Sequence, residues 1–508
     1  MWVLIGVQLS YNAFIKSWKF NRVLTTNFVI IAVILLLALG LRFFFYVGMG
    51  PRDDIAYIGS AHAIQTNNFN LPQSYSTNIF AVRTMVYLPV FLSWKLFGIS
   101  EFSTCIYFIF CSLIMIIAGY FMGKILYGSI EGIIVALILC LIPLDLVFSS
   151  QIMPDLAQAA LGSSGLLFFL VGKKRQSKLF FILSGIMMAL SLMTKEFALI
   201  YYVVLLFFIG HSVITGDLKA TKAISAFSFI MGSSAIVLLL FWLPYVIENI
   251  PWAPIKVILN NARAEKNANP DSWFYFKVMF NLYKHPWSTR YYGIFYYLVV
   301  LSLAYIAVRD IRTSGPIIAW FIFYLLFIQW IGPWLADRTT CERMERFLIP
   351  LSLPAGLILA RSLGIIWRGH RFTKVVTIFT MIILSYSLIT TTIVYAYPSE
   401  SIHLWDLKRT AHLLPRLSDY PLYADRGSAH KLSFLTSYKL DIRGYAPSRK
   451  RFNALSQCWV AFDVCDEAFL KKWIRLRKIP GGWTEVFNFR GPRVGHLKYY
   501  DAKIYWAP

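Results

Sequence analysis

The sequence predicts an all-α polytopic membrane protein of about eleven spanning helices, ending in a small α/β or α+β domain outside the membrane. Three observations predict it. Of 508 residues, 58% are hydrophobic and only 15% charged, whereas soluble domains carry about a quarter charged residues. A mean hydropathy of +0.59 excludes a disordered chain and an ordinary soluble enzyme. The apolar residues also fall into runs of the roughly 20-residue length that crosses a hydrocarbon core. The 49 Lys and Arg outnumber the 25 Asp and Glu, but they sort by membrane side and do not form one patch, which excludes a nucleic-acid-binding reading. Six Cys with no CxxC pair exclude a disulfide scaffold and a zinc module.

The first run, Phe28–Val47, is too long and too late for a cleaved signal peptide. Ten more runs lie near 103–122, 131–149, 156–171, 179–194, 197–214, 223–245, 291–308, 315–333, 347–361 and 374–396. The stretch 84–98 is short and carries Pro89 and Lys95, so it reads as an interfacial helix. With residues 1–27 cytoplasmic, the segments on that side hold sixteen Lys and Arg against Asp217 and Asp310, with Glu131 at a span edge. That asymmetry predicts a cytoplasmic N-terminus and an outer C-terminus, as in a bacterial inner or plasma membrane. Residues 28–396 then form the transmembrane module. It has a structured first outer loop at 48–102 and a polar, aromatic outer loop or flap at 246–290. In 397–508 charge density rises and strand-like pieces such as PLYADRG and CWVAFDVC flank helical stretches such as EAFLKKWIRLRK. Cys458 and Cys465 lie there and either pair or stay thiols.

Charged groups at the edge of lipid are costly and need a reason to be there. Asp53 and Asp54 open the first outer loop in GPRDDIAYIGSAHAI. Two adjacent carboxylates raise each other's proton affinity, and a partly desolvated one suits a general base; an N-cap is the commoner duty of such a pair. Asp155, after Pro154, also suits a cap. Lys195, in LSLMTKEF, suits a phosphate as a point charge, or snorkels beside Glu196. Arg343 or Arg346, in CERMERFLIPLSLP, suits bidentate phosphate contact or anchors a helix. All four places fall on the outer face. Two acids and two bases at one membrane interface suit a phosphorylated lipid donor and a nucleophile that must lose a proton. His62 is a candidate to face the same cavity.

The order of these motifs resembles the C-type glycosyltransferases that use polyprenyl-phosphate sugars, in particular the protein O-mannosyltransferase and lipid A aminoarabinose transferase branch (glycosyltransferase family 39). The resemblance rests on Asp53, Asp54 and Tyr57 in a D-[DE]-x-x-Y pattern, YLPVFLSWKLFGISEF at 87–102, Asp155, Thr194 with Lys195, and ERFLIPLSLP at 345–354. It implies inverting transfer of a monosaccharide from a polyprenyl-phosphate donor to a lipid, glycan or protein acceptor on the outer face. It makes Asp53 the general base or acceptor-orienting carboxylate, with Asp54 and Asp155 shaping the acceptor and sugar site. Lys195 and Arg346 would hold the donor phosphate; Tyr57 and His62 would line the substrate. Asp54 stands where Glu is usual, and YLP where the aminoarabinose enzymes have two prolines, departures that bear on the sugar and acceptor. No cofactor is expected; a divalent cation is the one candidate, because Asp53, Asp54 and Asp155 offer oxygen ligands. Nineteen Lys and Arg against ten Asp and Glu after residue 396 suggest contact with anionic membrane lipids or glycans. The rival readings are a transporter or flippase of a lipid-linked sugar, and a non-catalytic assembly subunit.

Overall fold

A computed structural model describes residues 28–49, 53–68, 79–264, 273–280, 282, 291–331, 344–403, 411, 420–445, 457–462, 482, 484–489 and 502–507. Among these, seven helices are long and apolar enough to cross a membrane, from Glu101–Leu126 to Arg371–Val394. Four shorter apolar helices, Phe28–Phe44, Ser129–Leu141, Lys178–Thr194 and Phe295–Arg309, fall on the other expected spans. A fifth, Thr84–Phe97, falls on the expected interfacial helix and tolerates Pro89 inside it. The chain is an integral membrane protein.

The expected span at 131–149 is two helices. Ser129–Leu141 stops at Ile142, whose backbone is extended, and Pro143 opens a short helix, Pro143–Phe148. Proline has no N–H to continue the first helix, and its fixed φ suits the first position of the second.

Helix Pro154–Arg175 is the centre of the bundle, although it is among the least apolar spans. Its neighbours, not lipid, surround it, and small residues let them approach. At Gly123 an added Cβ would lie 2.9 Å from Gly132 Cα, which fixes how closely helices Glu101–Leu126 and Ser129–Leu141 can pack. At Gly162 the Tyr201 ring occupies the space a side chain would need. Buried serines bond backbone carbonyls across these contacts, Ser191 Oγ to Gln158 O at 2.8 Å and Ser184 Oγ to Gly165 O at 2.7 Å, as helices associate in lipid by close packing and polar contacts.

At the end of the bundle where Asp53 lies, the first expected outer loop folds as helices Asp53–Gln65, Ile79–Val82 and Thr84–Phe97. In the expected flap, helices Ala253–Ala264 and Phe274–Met279 are described. The C-terminal region holds a five-stranded mixed sheet in the order β2-β1-β3-β5-β4, with β1 Leu422–Asp425, β2 Ile442–Tyr445, β3 Cys458–Phe462, β4 Thr484–Phe489 and β5 Ala502–Ala507. Strands β1, β2 and β3 run parallel, and β5 runs antiparallel to β3 and β4. Helix Arg426–Leu435 makes the crossover between β1 and β2, and its end docks on the first outer segment. Tyr438 stacks on His62 with centroids 3.6 Å apart, and Ser437 Oγ donates to Ile99 O at 3.0 Å. Cys458 is buried in β3; Cys465 and the stretch EAFLKKWIRLRK lie outside the described residues.

Candidate active site

Four elements converge at this end of the bundle, and each carries acidic or basic side chains. Asp53 and Asp54 sit in the first turn of helix Asp53–Gln65, where the helix dipole favours acids. Asp155 sits in the first turn of Pro154–Arg175, behind Pro154. Lys195 lies in the extended break after helix Lys178–Thr194, with φ −161° and ψ 137°. Arg346 is in the 3-10 helix Glu345–Leu351, which leads into Ser352–Trp367.

Asp155 does not serve as a cap, since that helix start has no side-chain cap bond. Its Oδ1 instead takes Lys195 Nζ at 2.6 Å, with 2% and 3% of the two side chains exposed. Lys195 therefore does not snorkel; it points inward, 3.7 Å above the centre of the Phe347 ring. Arg346 bridges the two acids. Its Nη2 donates to Asp53 Oδ2 at 2.7 Å, its Nε lies 3.5 Å from Asp155 Oδ2, and Nη1 reaches Met153 Sδ at 2.7 Å. The chain Asp53–Arg346–Asp155–Lys195 alternates in sign, as desolvated charges must. Asp53, 22% exposed, is its most accessible carboxylate.

A second network adjoins it through Lys195 and Glu196. Arg83, just before the interfacial helix, pairs with Glu196 at 2.8 Å and donates to Tyr57 Oη at 3.0 Å. Tyr57 is one turn on from Asp53, on the same helix face. Burial pushes its phenol up to about 12 against the pull of Arg83, so Tyr57 stays protonated and serves as a hydrogen-bonding group, not a base. Arg83 escaped the sequence reading: it follows the apolar IFAV and precedes a Pro-containing helix, with no motif around it. Its one signal is an unexplained cation at the edge of an apolar run.

The structure thus brings Asp53, Asp155, Lys195 and Arg346 into one cluster, with Tyr57 beside it. Asp54, about 100° around the helix from Asp53, is fully buried with Ile58 and Ala61. His62 sits elsewhere. Nine residues beyond Asp53 is about 13 Å along a helix axis, and there it stacks on Tyr438 of the C-terminal region. Among the described residues no group of three or more metal-ligating side chains converges. The Arg346 guanidinium also lies between Asp53 and Asp155, where a divalent ion shared by them would have to sit.

Residues 85–245, about a third of the chain, match the family described as dolichyl-phosphate-mannose-protein mannosyltransferase. No curated protein matches significantly. Among solved structures, ArnT from Cupriavidus metallidurans in the apo state is similar with a TM-score of 0.61 at 12% identity, over 94% of this chain and 98% of that one. The chain has the C-type glycosyltransferase fold. The same ArnT bound to undecaprenyl phosphate gives a TM-score of 0.52 at 13% identity, over 93% of this chain and 97% of that one. The Archaeoglobus fulgidus oligosaccharyltransferase AglB, in complex with an inhibitory peptide and a dolichol-phosphate, gives 0.53 at 11% identity, over 86% of this chain and 69% of that one. The C-type fold accounts for the architecture: a helical membrane bundle, a folded first outer segment and a small sheet domain over one end.

Proposed function

We propose that this protein is a membrane glycosyltransferase that moves a monosaccharide from a polyprenyl-phosphate donor to a lipid, glycan or protein acceptor, with inversion at the anomeric carbon. The observation that carries the reading is the alternating cluster Asp53–Arg346–Asp155–Lys195 at one membrane-proximal end of a C-type fold. The likeness to an ArnT structure that holds undecaprenyl phosphate supports a polyprenyl-phosphate donor. The sorting of basic residues supports a cytoplasmic N-terminus, which puts this end on the outer face.

In this proposal the donor phosphate engages Arg346 and Lys195, the two cations of the cluster. Arg346 now divides its guanidinium between Asp53 and Asp155, so a phosphate that takes it releases Asp53. The freed carboxylate accepts the acceptor's proton as its oxygen or nitrogen attacks the anomeric carbon. The C–O bond to phosphate breaks on the opposite face, and the leaving phosphate keeps the electron pair, held by the same two cations. Asp155 keeps Lys195 and Arg346 oriented; Tyr57 fixes Arg83; Asp54, buried behind Asp53, shapes the start of that helix. The Arg346 guanidinium, which lies between the two carboxylates before the donor binds, supports a reaction that needs no divalent metal.

The test is transfer in reconstituted vesicles, from a radiolabelled polyprenyl-phosphate monosaccharide to membrane acceptors, with the product anomer read by NMR. Label in an acceptor with the inverted anomer supports the proposal. Donor crossing the bilayer without transfer would support the flippase reading, and binding with neither would support the assembly subunit.

A further inference from the structure

At the opposite end of the bundle a groove of about 700 Å³ runs between helices Glu101–Leu126 and Pro154–Arg175, a volume in the range of ligand pockets. Its walls are apolar: Ile114, Ile117 and Phe121 on one helix, Leu167 and Phe168 on the other, and Phe180 of helix Lys178–Thr194. Three bases, Lys124, Lys174 and Arg175, ring its end. Asp155 and Arg175 lie at the two ends of one 22-residue helix, about 30 Å apart, so the groove lies in the other leaflet from the candidate active site.

Bases in the last turn of a helix are ordinary, because they complement the dipole and snorkel. What sets these three apart is the apolar slot that they ring, while some neighbouring bases are already neutralised. Lys173 is paired with Asp217 at 3.3 Å, and Arg361 and Arg368 share the buried Glu131. Among the described residues no carboxylate pairs with Lys124, Lys174 or Arg175. Lys124 reaches only Tyr120 Oη at 3.5 Å, and Arg175 lies over the Phe180 ring. Unneutralised cations above an open apolar slot match a ligand with a phosphate at one end and hydrocarbon at the other.

We propose that this groove binds an anionic glycerophospholipid of its own leaflet, the acyl chains along Ile114, Ile117 and Phe168 and the headgroup phosphate against Lys124, Lys174 and Arg175. The bases alone would attract any anionic surface; the slot makes the contact specific, since a chain seated there touches two helices at once. One of them is the helix that carries Asp155 at its far end.

Native mass spectrometry of the purified full-length protein tests this, with phosphatidylglycerol and phosphatidylcholine titrated separately. Wild type is expected to retain phosphatidylglycerol preferentially. Each base near a lipid phosphate contributes about a fivefold preference, so the triple variant K124Q/K174Q/R175Q should lose about a hundredfold, while K219Q/K222Q at the same end keeps the preference. Ile117→Trp, which fills the slot without changing charge, should also lower retention. Should the triple variant not fold, Lys174→Gln, on an exposed helix end, gives the single-step loss. Equal retention of the two lipids, an unaffected triple variant, a control variant that falls as far, or displacement by excess inorganic phosphate alone would each overturn the proposal.

Discussion

Removing Lys195 separates the structural from the chemical role of the cluster. Lys195 Nζ and Asp155 Oδ1 are 2.6 Å apart with almost no solvent exposure. At an effective dielectric near 20 their attraction is about 6 kcal/mol, most of it offset by the desolvation of both groups. Lys195→Met deletes one partner and leaves Asp155 buried, a change that costs about 3–5 kcal/mol. Arg346 Nε, 3.5 Å from Asp155 Oδ2, still faces the orphaned carboxylate and holds the loss near the lower end, about 3 kcal/mol. Unfolding in detergent micelles reads this loss, and transfer by the folded fraction should fall about a hundredfold or more. Adding Asp155→Leu removes the stranded charge, so stability should return to within about 1 kcal/mol of wild type while transfer stays lost. A Lys195→Met variant as stable as wild type would refute the pairing. A double variant that transfers sugar would refute the catalytic role and leave the pair purely structural.

Arg83→Gln should strand Glu196, the neighbour of Lys195 in the chain, and loosen Tyr57, and raise the donor KM more than it lowers kcat; an unchanged KM would show that the Arg83–Glu196 pair does not help to position Lys195 for the donor. Chelation with EDTA should leave transfer unchanged, and loss restored by added Mg²⁺ or Mn²⁺ would contradict the arrangement in which Arg346 stands between the carboxylates. At the other end, Glu131 is buried between Arg361 at 3.3 Å and Arg368 at 2.6 Å. Glu131→Gln should destabilise by about 3 kcal/mol without altering transfer per folded molecule, a result that unfolding and activity measured on one preparation would check. Burial and the nearby His430 hold the His62 pKa below its ordinary value. The unfolded chain thus binds the proton more tightly, and docking of Tyr438 is fully stable above about pH 6.5 and weakens as pH falls through the lowered value. Proteolysis of the C-terminal region should accelerate with acid in wild type and not in His62→Gln.

The spans were legible because lipid imposes a length and a hydropathy that few other environments demand, and the helices fall where those runs lie. Pro143 was visible too, but its break in one run was not, since the residues on both sides stay apolar and buried. The charged residues of the cluster stood out one at a time in the sequence, by their cost at a membrane edge; their pairing did not. Asp53 meets Arg346 across 293 positions, and Asp155 meets Lys195 across 40, and no local pattern encodes which cation answers which acid. Two placements depended on tertiary packing. His62 follows Asp54 closely in sequence, yet the straight helix carries it to the sheet domain. Arg83 sits in no motif, yet the fold brings it against Glu196.

The proposed reaction turns on Asp53, the most exposed carboxylate of the cluster and the one that a phosphate on Arg346 would release. Sugar transfer from a defined polyprenyl-phosphate donor to acceptor membranes, compared between wild type and Asp53→Asn, tests it most directly. A general base contributes about 10²–10⁴-fold, so the variant should retain its fold and donor binding and lose at least about a hundredfold in transfer. Transfer at the wild-type rate in Asp53→Asn would contradict the account.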